Sequence, residues 1–288
     1  MKDKVFKLRQ MQSGDIGSAM KLSMAAGWNQ TEKDWKLFIE NPENVCLLVE
    51  YDNKVIGTTT AINYSNRIAW IAMVLVDKEY RGQGVSKSLL TNIFQRLQSC
   101  KSIKLDATPE GQLVYKKFEF SDEYLITRMT NLAMNDLPSD DDHEILPETI
   151  QIVNITEVIA FDEIVFGAKR ARLIESLVKE YPGKSWLLKR NKSITGVVLG
   201  REGNKYYHVG PVLASNTTDA KILISKALKE RYLQPVVVDV LSDKEELIDW
   251  LQSIGFIKQR HFIRMYKNEN PFPGTISKQF LICGPEFG

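Results

Sequence analysis

Met73-Val74-Leu75-Val76-Asp77-Lys78-Glu79-Tyr80-Arg81-Gly82-Gln83-Gly84-Val85-Ser86-Lys87-Ser88-Leu89-Leu90 decides how this chain is read. It passes from an apolar run with the composition of a buried strand, through a polar turn holding two glycines, into an amphipathic helix. Val85, Leu89, Ile93 and Leu97 recur at steps of four and so share one helix face. A glycine-rich turn entering a helix leaves several backbone N–H groups unpaired beside the positive end of the helix dipole. Phosphate oxygens bind at such a place, and glycine lets them approach the backbone with no Cβ in the way. The turn is a candidate pyrophosphate cradle.

Two familiar cradles do not fit. A dinucleotide fingerprint needs another Gly or Ala three residues after Gly84, where Lys87 stands. A Walker loop needs Gly-Lys-Ser/Thr at the helix entrance, and here Lys87-Ser88 follows Ser86. The remaining pattern, Arg/Gln-x-x-Gly-x-Gly/Ala, resembles the coenzyme A loop of the GNAT acetyltransferases, with Ser86 in place of the last small residue. Serine is small and keeps its N–H, so the loop is expected to hold.

Composition sets bounds on the rest. The 288 residues are comfortable as two domains, and 43% hydrophobic with 26% charged residues describes an ordinary globular chain. A net charge of +2 argues against a nucleic-acid surface as the main function. Cys46, Cys100 and Cys283 lie far apart, as do His143, His208 and His261, so neither a disulfide framework nor a metal site is expected. The first ten residues are charged rather than apolar, and no apolar run approaches the ~20 residues of a membrane helix. A cytoplasmic protein that engages no membrane is the expectation.

The first half reads as strand 5–9, helices 14–26 and 32–39, strands 45–50, 55–64 and 68–76, the cradle helix, strand 102–106, helix 111–117 and strand 124–131. That is the element order of a GNAT domain. Residues 135–144 are polar, acidic and carry Pro138, the composition of an exposed linker. Beyond it the pattern repeats. Val114 to Phe120 followed by Thr127-Arg128-Met129 aligns without gaps on Trp250 to Phe256 followed by Ile263-Arg264-Met265, and Asp106 parallels Asp239. The second copy has Ala214-Ser215-Asn216-Thr217-Thr218-Asp219 where the cradle should be, and Leu251 where the first has Tyr115. It is expected to have lost coenzyme A binding. Gly183-Lys184-Ser185 lacks the first glycine of a Walker loop and leads into a strand-like run, so it is read as structural.

The chain thus resembles bacterial tandem-GNAT proteins. The resemblance implies a mixed α/β fold of three layers (αβα) in two tandem copies: residues 1–136 binding acetyl-CoA, a linker over 137–147, and a degenerate copy over 148–288. It implies that Val74, Leu75 and Val76 pair with the pantetheine arm, while Arg81, Gly82, Gln83, Gly84, Val85 and Ser86 hold the pyrophosphate. It makes Tyr115 the acid that protonates the departing thiolate, a role a phenol of pKa ~10 can fill. Trp28 and Asn29, in the loop between the first two helices, would wall the acceptor site, and Thr31 with Asp34 would cap the second helix. No carboxylate stands in Arg67-Ile68-Ala69-Trp70, where such a base often sits, so the general base stays unassigned. The acceptor would be a small-molecule or peptide amine, and the protein a monomer with pseudo-dimeric halves or a homodimer. A non-catalytic acyl-CoA-binding regulatory module, or an interaction protein that merely keeps the fold, remains the alternative.

Overall fold

A computed structural model describes residues 5–133, 145–229 and 234–288. The first half comprises β1 (Lys7–Gln10), α1 (Ile16–Ala25), α2 (Glu32–Ile39), β2 (Val45–Tyr51), β3 (Lys54–Tyr64), β4 (Ile68–Val76), α3 (Val85–Arg96), β5 (Ser102–Ala107), α4 (Pro109–Lys116) and β6 (Ser121–Asn131). The second comprises β7 (Glu148–Thr149), α5 (Ile155–Phe166), α6 (Ala171–Glu180), β8 (Ser185–Arg190), β9 (Ser193–Arg201), β10 (Tyr207–Ala214), α7 (Thr217–Lys229), β11 (Val236–Leu241), α8 (Glu245–Ser253), β12 (Ile257–Asn268) and β13 (Gln279–Leu281). Most of the expected linker, 137–147, lies outside the described residues.

Local chemistry sets the boundaries. Asp52 and Asn53 both adopt positive φ, 50° and 59°, which makes the tight two-residue turn joining β2 to β3. Thr31 and Asp34 form the expected capping box on α2. The helix expected over 14–26 opens instead as a short 3-10 turn, Ser13–Asp15. There Arg9 grips both oxygens of Asp15 at 2.8 Å. α4 starts two residues ahead of its expected 111, because Thr108 caps it and Pro109 occupies the first helical position. β13 was not separated as a strand in the sequence.

All thirteen strands join one sheet, ordered β1-β2-β3-β4-β5-β12-β6-β11-β13-β10-β9-β8-β7. α1, α2, α5 and α6 cover one face in a core continuous across both halves. α3 with α4, and α7 with α8, cover the other. The order shows that the halves exchange their last long strands. β12 pairs with β5 of the first half, β6 pairs with β11 of the second, and the two exchanged strands pair with each other. Each carries an arginine that clamps an aspartate of the other half. Arg128 holds Asp239 through two bonds of 2.7 Å, and Arg264 holds Asp106 at 2.8 and 2.9 Å. These are the residue pairs that the repeat alignment matches. No helix among the described residues is long and apolar enough to cross a membrane.

Candidate active site

β4 and β5 are parallel and pair only from Ile68–Ser102 to Trp70–Lys104. Beyond that they diverge, and Ile71–Val74 faces Leu105–Ala107 across a cavity of about 160 Å³. A bulge in β4 shapes the rim. Thr60 faces Ala72 but Thr58 faces Leu75, so β4 carries one extra residue there, and Met73 takes φ 53°. The Thr58 hydroxyl donates to the Met73 carbonyl at 2.9 Å and fixes the kink. Strand amides freed from β5 in this way can polarise a carbonyl lying in the cleft.

The cradle follows β4 directly. Asp77 accepts from the Glu79 N–H at 3.1 Å and closes the first turn. Gly82 and Gly84 have φ 75° and 82°, and a Cβ on either would meet nothing within 4 Å. Both the left-handed backbone and the open space favour glycine at a ligand face. α3 then starts at Val85, so the amides of its first turn have no carbonyl one turn back. Val85 itself points into the core with Leu89, Leu90 and Ile93. The Arg81 side chain folds back to the Val76 carbonyl at 3.2 Å, and that of Gln83 to the Glu79 carbonyl at 2.9 Å. Both side chains thus hold the loop's own backbone.

Tyr115 lines the cavity from α4, with its ring 5.7 Å from that of Phe120. Burial pushes its phenol up, so it stays protonated. The wall also includes Trp28, Asn29 and Gln30. The Asn29 amide is committed to the chain: its oxygen accepts from the N–H groups of Lys205 and Tyr206 at 2.9 and 3.0 Å, and its nitrogen donates to the Tyr206 carbonyl at 3.0 Å. Asn29 therefore ties the two halves together beside the site. Gln30 is different, because its side-chain oxygen is buried with no partner. Arg128, Arg260, Phe262, Pro285 and Glu286 complete the wall, and sequence reasoning missed all of them as site residues. Gly284-Pro285 was a visible turn signal. Nothing local showed that the turn would return to a cavity in the other half.

Residues 18–120 match the acetyltransferase (GNAT) family, and residues 158–281 match a second acetyltransferase (GNAT) domain. The chain belongs to the GNAT acetyltransferases. It is similar to holothin acyltransferase of Pseudoalteromonas sp. (strain SANK 73390), at 26% identity over 92% of this chain and 89% of that protein. Among solved structures it resembles a putative acetyltransferase from Pyrococcus horikoshii, with TM-score 0.81 and 18% identity over 98% of this chain and 96% of that one. It also resembles a tandem GNAT protein from the clavulanic acid biosynthesis pathway, with TM-score 0.63 and 11% identity over 93% of this chain and 99% of that one. This is a tandem GNAT enzyme that transfers acyl groups.

Its two GNAT copies differ at the corresponding sites. β10 and β11 also diverge, pairing only at Tyr207–Val236 and His208–Val237. Here β13 occupies the gap, antiparallel to both strands. The helix that follows is closed to anions as well. Asn216 accepts from the Asp219 N–H at 2.8 Å, and the buried Asp219 carboxylate pairs with Arg190 at 2.7 Å. A carboxylate held in the first turn repels a phosphate there. In the first GNAT copy, Cys46 is buried and its thiol pushed up to about 12, as is that of Cys283 in the second, so neither supplies a thiolate nucleophile. Among the described residues no group of three His, Cys, Asp or Glu gathers as a metal site.

Proposed function

We propose that this enzyme moves an acetyl group from acetyl-CoA to the amine of a small molecule or peptide, by direct attack in a ternary complex. One observation carries the reading: the open divergence of β4 and β5 leads straight into a glycine cradle, whereas the second divergence is filled by β13 and has no cradle. The residues fit the cosubstrate, since a Cβ at Gly82 or Gly84 would stand in otherwise open space. Val74 to Val76 would align the pantetheine arm, and Gly82 to Ser86 the pyrophosphate. Tyr115 would donate its proton to the departing sulfur. Trp28 and Asn29 would shape the acceptor side, Asn29 indirectly through its hold on residues 204–206.

The same reading takes residues 1–136 as the copy that binds acetyl-CoA, 137–147 as the join, and 148–288 as the copy that completes the acceptor site. The protein would act as a monomer whose halves form a pseudo-dimer, in a reducing compartment such as the cytoplasm. Thiol release from acetyl-CoA tests the function, with glycinamide, Nα-acetyl-lysine, spermidine, kanamycin and an alanine-initiated peptide as acceptors. Amine-dependent release is expected with at least one. Saturable acetyl-CoA binding without turnover would favour the regulatory alternative.

A further inference from the structure

We infer that Glu286, brought to the first copy's cavity by the end of the second, accepts the proton of the acceptor amine, while Gln30 receives one of the amine's remaining N–H groups. This rests on the function proposed above and supplies the base that the first half lacks. At the head of β4, Arg67 pairs with Glu163 at 2.9 Å and leaves no carboxylate on the cavity. Two carboxylates do line that cavity, Asp106 and Glu286. Both oxygens of Asp106 are taken by Arg264 at 2.8 and 2.9 Å, a closed pair.

Glu286 stands in a different balance. Its cation, Arg201, also contacts Asp34 at 3.2 Å and donates to the Cys283 carbonyl at 2.7 Å. Two carboxylates thus share one guanidinium, and only one oxygen of Glu286 is held by it. Arg260 on β12 lines the same cavity and brings a further positive charge to it. Arg128 on β6 is neutralised by Asp239 on β11. His208 on β10 is held neutral by burial, with Arg201 and Arg128 adding to the effect. Cys283 stays a thiol for the same reason of burial. Of the two carboxylates on the cavity, Glu286 is therefore the one with an oxygen not held by a guanidinium, and so the one able to take a proton from an ammonium group placed there. Burial also lifts the Glu286 carboxyl above its ordinary range, against the pull of Arg201, which brings it closer to the basicity such a transfer needs.

Gln30 supplies the second, independent observation. It is 7% exposed, and its buried oxygen has no hydrogen-bond partner. Leaving such an oxygen unpaired is costly, and an entering N–H donor would relieve that cost. Gln30 lines the same cavity as Glu286. The protons then balance. Glu286 takes one from the ammonium; the amine nitrogen bonds the acyl carbon as the C–S bond breaks. The sulfur keeps that electron pair and takes the Tyr115 proton. The second amine proton restores Tyr115 through solvent, and Glu286 releases its own to solvent.

The test uses the full chain, acetyl-CoA and whichever amine of the panel gives turnover. Glu286→Gln is expected to keep acetyl-CoA affinity within twofold by calorimetry while kcat/KM for the amine falls at least a hundredfold at pH 7. The acidic limb of the pH–rate profile should then follow the ionisation of the free amine instead of that of the enzyme, a change that a packing role would not produce. If Glu286→Gln does not fold, Glu286→Asp keeps the charge but withdraws it by one methylene, and at least a tenfold loss is expected. Gln30→Leu should raise the amine KM at least tenfold at unchanged acetyl-CoA affinity. A wild-type rate and pH profile in the Glu286 variants would overturn the inference and leave the acetyltransferase reading intact. No amine-dependent release by the wild type would overturn both.

Discussion

The role proposed for Tyr115 as the acid rests on its place in the cavity wall, with burial raising its phenol and so keeping it protonated. Tyr115→Phe should lower kcat about a hundredfold, or ~2.7 kcal/mol of transition-state stabilisation, with acetyl-CoA affinity unchanged by calorimetry. Equal losses in affinity and turnover would mark it as a packing residue. His208 gives a pH prediction of the opposite kind. Its folded state is neutral because burial, aided by Arg201 and Arg128, holds its pKa below the ordinary value of ~6.5. The unfolded chain takes a proton near that value and the folded one does not. Stability is therefore full above ~6.5 and declines as pH falls below it, by at most about 1.4 kcal/mol per pH unit for this one group. Denaturant midpoints between pH 7 and 5 should show a shallower acid slope in His208→Gln than in the wild type. Tyr115 was named in the sequence through the resemblance, which puts a tyrosine on the helix after the fifth strand, and the structure places it on the cavity. Glu286 was not, because its role depends on a return of the chain that no local pattern records.

The cradle and the exchanged strands differ in how far their sequences speak for them. Gly82 and Gly84 announce their own geometry, and the helix behind them shows its buried face at every fourth residue. Gly84→Glu should abolish measurable acetyl-CoA binding, since it forces a side chain and a negative charge into the space facing the pyrophosphate. Thr218→Glu, at the matching but already closed helix end of the second copy, should leave affinity unchanged. Strand order had no such local signal. β6 and β12 look alike in sequence, and either could have paired within its own half. Each exchanged strand is held by its arginine on a buried aspartate of the other half, but pairing within one half would offer the equivalent clamp, so the clamps secure the strands without selecting the exchange. Arg264→Met strands the buried Asp106 carboxylate and should cost about 3–5 kcal/mol in chemical denaturation. Adding Asp106→Leu should recover most of that loss. No recovery would mean that the pair serves a purpose other than mutual neutralisation.

Across the whole molecule, the exchanged strands make each half depend on the other. A chain ending at Pro138 would expose both β5 and β6 without their partners, and it should self-associate or aggregate in sedimentation. Residues 1–136 and 148–288 produced together should instead co-purify as a one-to-one pair that binds acetyl-CoA. A soluble, monomeric first half with full turnover would count against both expectations. The same strand order governs how the protein is made. β6 ends at Asn131, but β11, its partner on one side, is complete only at Leu241, and β12, on the other, only at Asn268. At a translation rate of about 5–20 residues per second, the emerging first half waits on the order of ten seconds with two open hydrogen-bonding rows. During that interval two nascent chains on one messenger can trade strands with each other as readily as a single chain can with itself. The ribosome-bound first half thus carries open strand edges until its own second half arrives.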